Sequence, residues 1–404
     1  MLSVDEQLKI ITSGTMQIVP MGELRRKLEK GTPLNIKLGV DPTSPDLHLG
    51  HAVPLRKMRQ FQDIGHDVTL IIGNGTALIG DPSGRDSTRP PLTEGQVEAN
   101  AQTYVAQAMK VLDPQRTKIV HNGDWLKPLD LAKMLELMSK FNVARVLERE
   151  DFHTRYANGQ SIALHEFIYP VLQAYDSVVI KADVEMGGND QIFNLLAGRD
   201  LMRAMGMEPQ VALTMPLLVG TDGIRKMSKS YGNYVGLTDE PTDMFGKVMS
   251  ITDELVPMYF RLCSTVPVDE VDAIDAAYAN KTADPYHLKR QLAANIVDLY
   301  HGAGAGAQAE AAFDGLFKKH EIPEDVPEFK ADLTLNDDGR VYLAKVLADA
   351  GLVRSAGEAR RMIDQGSVKI DGRRLAAKSY NVEPSLLSAK TVLQVGKRKF
   401  VRLA

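Results

Sequence analysis

His48 and His51, three residues apart in the stretch KLGVDPTSPDLHLGH from Lys37 to His51, are the side chains whose types and spacing most directly suggest chemistry. If the first turn after the loop is helical, both imidazoles emerge on one face. Beside them lie the unpaired N–H groups and positive dipole end of a helix start, which favour anions and phosphate above all. Gly50 between them leaves room for a flat ligand. Neutral imidazoles can donate hydrogen bonds to phosphate oxygens or ribose without adding a permanent charge, which suits an ATP whose α-phosphate is attacked. Helix-capping or core histidines are the plainer alternative, and HxxH could be half a metal site. No cysteine or further His-rich cluster lies near to complete a metal shell, and glycine between two histidines is a poor choice for helix packing.

A second chemical stretch is VGTDGIRKMSKSYG, where Lys226 and Lys229 with Ser228 and Ser230 sit on a loop flanked by Gly220, Gly223 and Gly232. It reads as a flexible cationic arm for a polyphosphate, or in isolation as a solvated loop. No GxxxxGK[ST] sequence occurs, which excludes a P-loop on motif grounds. In GNGTALIGDPSGRDSTRP the polar candidates are Thr76, Asp81, Arg85 and Arg89. A carboxylate such as Asp81 can hold an ammonium and the arginines can meet phosphates; a mobile surface loop is the alternative. Tyr169, Gln173 and Asp176 fall four and three residues apart and so line one helix face. Burying that polar face calls for a partner to each group, and a polar ligand is the natural one. Gly187 and Gly188 allow close backbone approach, and Asp190 and Gln191 open the next helix.

The elements that must position these groups follow from the apolar pattern. Leu34–Val40, Val68–Ile72, Lys118–His121, Val178–Ala182 and Val211–Leu218 read as strands. Helices are expected within residues 5–30, at Leu49–Gln62, over 93–112 and from Leu129 to Glu150, the last facing the core or a second subunit. Strand, helix, strand of this length is a parallel βαβ unit, so the class is α/β with a parallel sheet. Residues 238–320 are helical in pattern, and 321–338, with two prolines and seven acidic residues, reads as a linker.

At 404 residues, 44% hydrophobic and 25% charged, the chain has room for two or three domains with full cores. One cysteine, Cys263, excludes a disulfide framework within the chain and suits a reducing cytoplasm. No signal-like start or transmembrane-length apolar run is present, so a cytoplasmic protein without a membrane partner is expected. From Gly339 to Ala404 there are 14 Lys and Arg against 5 Asp and Glu, a net of +9, leaving −13 on residues 1–338. So concentrated a basic excess points to a polyanion partner, against the alternative of a solvated basic face.

HLGH near the start and KMSKS at 226–230, in this order on a βα-rich chain, resemble a class I aminoacyl-tRNA synthetase. LGVDPTSPDLHLGH, LIGDPSG, YPVLQAYD, GGNDQ and KMSKS together resemble the bacterial type of tyrosyl-tRNA synthetase, and residues 341–375 resemble the S4 RNA-binding domain. The resemblance implies a Rossmann-like catalytic domain over 1–232, a helical anticodon-side domain over 233–320, a linker over 321–338 and an S4-like α+β domain over 339–404. It implies ATP as a substrate, accompanied by Mg2+, no protein-bound metal, L-tyrosine and tRNA(Tyr) as partners, and a homodimer. Thr43, His48, His51, Lys226 and Lys229 would be catalytic. Gly39, Asp41, Gly50, Arg85, Arg89, Gly188, Asp190 and Ser230 would hold ATP, and Asp81, Tyr169, Gln173, Asp176 and Gln191 the tyrosine. In the better-known branch a tyrosine that shares the phenol contact stands where this chain has Lys37, and a threonine stands at Pro54. Tryptophanyl-tRNA synthetases are the nearest rival, but Asp176 matches a carboxylate for a phenol hydroxyl, which indole lacks. An RNA-binding protein that has lost catalysis would not need the His and Lys pairs. Another HxGH nucleotidyltransferase would not need an S4 tail.

Overall fold

Six short strands build the sheet on which the candidate site rests: β1 (Gln17–Val19), β2 (Asn35–Val40), β3 (Asp67–Ile72), β4 (Thr117–His121), β5 (Val184–Gly188) and β6 (Val211–Met215). Their order is β1-β6-β5-β2-β3-β4, with β1 antiparallel and the other pairings parallel. Apolar runs such as Leu70–Ile72 and Val211–Met215 are buried throughout, as expected of strands covered on both faces. The structure, a computed structural model, describes residues 2–81, 93–315, 326–331, 333–396 and 399–404. Arg85 and Arg89 lie outside the described residues.

Three expectations change in this part of the chain. The run Val178–Ala182 is not a strand: the helix Ile168–Ile180 continues through it, closes at Lys181 in the left-handed region (φ 53°), and β5 begins at Val184. Val178 packs with Leu137, Val171 and Leu201, so tertiary burial outweighs the strand preference of a β-branched run. β6 stops at Met215 because Pro216 has no N–H for a ladder. The helical stretch from Leu129 to Glu150 is divided into Leu131–Met138 and Val143–Val146, the second capped by Asn142, whose side chain accepts from Ala144 N–H.

By its contacts the described chain forms two compact units, residues 1–306 and 307–404. The helices after residue 233, expected as a separate domain, therefore belong up to Gly306 to the unit that holds the sheet. In the second unit β7 (Glu328–Phe329), β8 (Val341–Tyr342), β9 (Val368–Ile370), β10 (Arg373–Arg374), β11 (Asn381–Val382), β12 (Val392–Val395) and β13 (Lys399–Leu403) form a sheet β10-β9-β12-β13-β7 and a separate pair β11–β8. Glu328 and Phe329 pair in parallel with Arg402 and Leu403, so part of the expected linker is an edge strand of this unit. Helices Leu343–Asp349 and Ala356–Asp364 cover a core of Leu343, Leu347, Ile363, Leu393 and Val401.

The helix Leu49–Asp63 starts at the candidate site and buries Leu55, Met58 and Phe61 completely. Phe61→Ala should lower stability by about 3–5 kcal/mol through the cavity it leaves, read as a fall in the urea unfolding midpoint of the first unit.

Candidate active site

Chain order reverses between β2 and β5: β3 and β4 follow on one side of β2, β5 and β6 on the other. Beyond the carboxyl ends of parallel strands such a switch point opens a crevice for ligands. Each of the five parallel strands delivers candidate residues into the loop at that end: Asp41 after β2, Thr76 after β3, Asn122 and Trp125 after β4, Asp190 and Gln191 after β5, and Lys226 to Ser230 after β6.

His48 is the extended N-cap residue of the helix Leu49–Asp63, and the segment is pinned by Leu49 N–H to Val235 O (3.0 Å) and Leu237 N–H to Leu47 O (3.0 Å). The imidazoles of His48 and His51 stack with centroids 3.8 Å apart, and His51 Nδ1 accepts from the His48 backbone N–H at 3.3 Å. Desolvation, helped by His51 and Lys229, lowers His48 to about 3. His51, which keeps an exposed face, is lowered to about 4 by the protein packed around it and by Lys229. Both are neutral at pH 7, and the buried His48 Nδ1 has no hydrogen-bond partner. Gly50 serves the histidine itself: an added Cβ would sit 3.0 Å from the His48 ring, so the expected room for a ligand is room for His48.

Lys229 reaches across to this start, donating to Ser44 Oγ (3.0 Å) and Asp46 Oδ2 (3.1 Å). Lys226, Ser230 and Thr43 are exposed. The loop expected as a flexible arm is braced by buried Asn233, which donates to Asp222 Oδ2, Arg225 O and Lys226 O and accepts from Ser228 N–H. Gly39 is exposed with open space around it. Gly188 is required beside Asp190, whose Oδ1 would lie 2.4 Å from an added Cβ.

Deeper in the crevice the polar side chains form one chain of hydrogen bonds. Tyr169 OH donates to Asp41 Oδ2 (3.0 Å), Thr76 Oγ1 to Asp41 Oδ1 (2.7 Å), Asn122 Nδ2 to Thr76 Oγ1 (3.0 Å) and Asp176 Oδ2 (3.2 Å), and Trp125 Nε1 to Asp176 Oδ1 (2.9 Å). Asp41, expected among the ATP residues, is thus joined to those expected for the amino acid. Desolvation raises Asp41 to about 7, and it raises Asp176 to about 6 against the opposing charge of Lys37. Asp81 is engaged by Arg149 (3.0 Å) and Gln191 (2.8 Å). Gln173 donates to Glu185 Oε1 (3.1 Å).

Sequence reasoning missed Asn122, Trp125, Arg149, Glu185, Asn233 and Gly73. A usable signal existed for Trp125: it is the chain's one tryptophan and follows a strand end by four residues. None existed for Arg149, whose contact with Asp81 spans 68 residues. Among the described residues no group of three or more His, Cys, Asp and Glu could hold a metal ion, and no helix is long and apolar enough to cross a membrane.

A switch-point crevice with two stacked neutral histidines at a helix start, faced by a lysine loop, marks this α/β unit as one suited to receive a nucleotide's phosphates. The family model of the class I tRNA synthetases (W and Y) matches residues 29–318, and the S4 domain model matches residues 343–387. A tyrosine–tRNA ligase of Moorella thermoacetica is 49% identical over 99% of this chain and 96% of its own length, and one of Shewanella oneidensis 49% over 100% and 99%. A C-terminally truncated mitochondrial tyrosyl-tRNA synthetase of Coccidioides posadasii shares the fold with a TM-score of 0.63 at 22% identity, over 77% of this chain and 92% of that one. The chain belongs to the tyrosine–tRNA ligase family of class I tRNA synthetases.

An added Cβ on Gly73 would lie 2.0 Å from Asp41 Oδ1 and 2.5 Å from Thr76 Oγ1. Gly73→Ala must therefore displace the Asp41–Thr76 pair. It should raise the KM for the amino acid about tenfold or more, the equivalent of one charge-assisted hydrogen bond, with a smaller change for ATP in pyrophosphate exchange.

Proposed function

We propose that this protein activates L-tyrosine with ATP, releasing pyrophosphate, and transfers the tyrosyl group to the 3′ end of tRNA(Tyr). The reading is carried by Asp176, a buried carboxylate that takes donors from Trp125 and Asn122 at the inner end of the crevice and can accept one more from a phenol hydroxyl. In the first step the tyrosine carboxylate attacks the α-phosphorus and pyrophosphate leaves. In the second a ribose hydroxyl of the tRNA attacks the acyl carbon and AMP leaves. The nucleophiles belong to the substrates, so the chain contributes position and charge.

In this assignment His48 and His51, neutral, donate to nucleotide oxygens, and Thr43, Lys226 and Lys229 gather charge on the polyphosphate as it develops. Arg85 and Arg89 belong to the pyrophosphate side, and Gly39, Gly188, Asp190 and Ser230 to the remainder of the nucleotide, with Gly50 acting only through the His48 ring it admits. Magnesium enters with ATP as part of that substrate. Tyr169, Gln173, Asp81 and Asp41 form the polar wall for the tyrosine ammonium, with Gln191 near its carboxylate. The tail, with Arg354, Arg360, Arg361, Arg373 and Arg374 exposed, meets the tRNA backbone. The apolar side chains Leu131, Leu135, Val143 and Leu164, exposed on this chain, support a homodimer, and the single cysteine, Cys263, suits a reducing cytoplasm.

ATP–pyrophosphate exchange with each of the twenty amino acids should respond to tyrosine and hardly to phenylalanine, which leaves Asp176 without its partner; equal exchange with tryptophan would refute the assignment. In the same assay Lys229→Ala should lower the rate by about 10²-fold while tyrosine affinity holds.

A chain ending at Asp338 should retain exchange and lose most tRNA charging, with a flatter salt dependence of tRNA binding. Loss of exchange in a truncated chain that remains folded by circular dichroism would show that the tail contributes to activation.

A further inference from the structure

Lys37 stands in the middle of β2 with no exposed surface, directly across from Glu185 on β5. Its ammonium is 2.8 Å from Glu185 Oε1 and donates to Ser177 Oγ (2.8 Å) and to the carbonyl of Gln173 (3.1 Å). The three N–H bonds of the ammonium are thereby matched to three acceptors. Glu185 is filled in turn: Gln173 Nε2 donates to Oε1, and Ser177 Oγ (3.2 Å) and Gln210 Nε2 donate to Oε2. Space for this cluster depends on Gly198, where an added Cβ would meet Gln210 Nε2 at 2.4 Å and Glu185 Oε2 at 3.0 Å.

The acceptors of Lys37 are not scattered. Gln173 and Ser177 bracket one turn of the helix Ile168–Ile180, and Asp176 lies on that turn. The pair Lys37–Glu185 therefore ties the turn to the two central strands at the switch point. It holds the Gln173 amide through Glu185 and sets where the Asp176 carboxylate stands relative to Trp125 and Asn122. With all its donors engaged, Lys37 has none left for a ligand hydroxyl, so its influence on the pocket passes through the residues it holds.

We infer that Lys37, together with Glu185, is a positioning and specificity-determining pair for the tyrosine subsite, acting on Gln173 and Asp176 without touching the substrate. This rests on the reading of the crevice as a tyrosine site. The charged and titratable groups facing Asp176 are Lys37 on β2, Asp41 in the loop after it, Glu185 on β5, and Tyr169 on its own helix; Asn122 and Trp125 add uncharged donors. Lys37 is the one cation among them and opposes the desolvation of the Asp176 carboxylate more strongly than Glu185 adds to it. Removing the pair thus moves protonation of Asp176 to higher pH, and a protonated Asp176 is a poorer acceptor for a phenol O–H.

The test uses the full chain in tyrosine-dependent ATP–pyrophosphate exchange across pH 5 to 8. Lys37→Met leaves the Glu185 charge buried alone and risks the fold, so the neutral pair Lys37→Met with Glu185→Gln is made beside it and its folding checked by thermal unfolding. The expected result for the folded double variant is a tyrosine KM raised about tenfold or more, with kcat and the ATP KM within about threefold of the parent. The acid limb of kcat/KM for tyrosine should also move to higher pH. An unchanged tyrosine KM would overturn the inference. So would an equal rise in the ATP KM, or a raised tyrosine KM with the acid limb in place, since each describes a pair that serves packing alone. Parent protein that exchanges with another amino acid and not with tyrosine overturns the tyrosine reading and this inference together, and does so before any variant is made.

Discussion

The ion pair between Lys37 and Glu185 lies where the parallel sheet turns its order, and both partners are almost completely buried. Two charges in that position carry a desolvation cost of several kcal/mol each, which their attraction offsets only when every remaining donor and acceptor is also matched. Here Ser177, Gln173 and Gln210 complete the set, and the completing groups come from the helix Ile168–Ile180 and from the residue just before β6. The same bonds that make the pair tolerable bring together β2, β5 and the helix that carries Tyr169, Gln173 and Asp176. A hydrophobic pair could hold two strands, but it would not fix a helix turn by its carbonyl.

The crevice beyond these strands is divided electrostatically. On one side the stacked histidines are uncharged, with Lys229 parked against Ser44 and Asp46. A polyphosphate arriving there meets donors and Lys229, whose present partners Ser44 and Asp46 are weak and partly solvated, so the lysine can exchange them without a large cost. On the other side Asp41, Asp81 and Asp176 share a small volume. Asp41 is raised to about 7 and Asp176 to about 6 because low solvation disfavours several anions at once. A ligand that brings an ammonium and a hydroxyl to these groups relieves the condition that raises them. The order of the two sides matches a reaction in which a carboxylate between them attacks an α-phosphate.

Glycines keep the two sides at working distance, for reasons of space. Gly50 admits the His48 ring, Gly73 the Asp41–Thr76 pair, Gly188 the Asp190 carboxylate and Gly198 the Gln210–Glu185 contact. Each sits beside a polar side chain that a methyl group would displace.

Motifs whose chemistry is local were legible from the amino-acid order alone. The His48–His51 pair, the lysines at 226 and 229 and the Tyr169–Gln173–Asp176 set depend on helical or loop spacing within a few residues; the two imidazoles stack at the helix start and the Tyr169–Gln173–Asp176 set shares one helix, while the lysines lie on a loop that Asn233 braces. The apolar runs of β2, β3 and β6 likewise announced a buried parallel sheet, because burial on both faces demands continuous apolar sequence. What only the tertiary structure decided are contacts made across the sheet order: Lys37 with Glu185, Asp81 with Arg149, Asp41 with Tyr169, and Trp125 with Asp176. Val178–Ile180 shows the same limit, since packing on Leu137 and Leu201 turns a strand-like run into helix. Sequence records which groups are available at short range; which distant carboxylate, amide or lysine each one meets depends on strand order and register, and no local spacing encodes either.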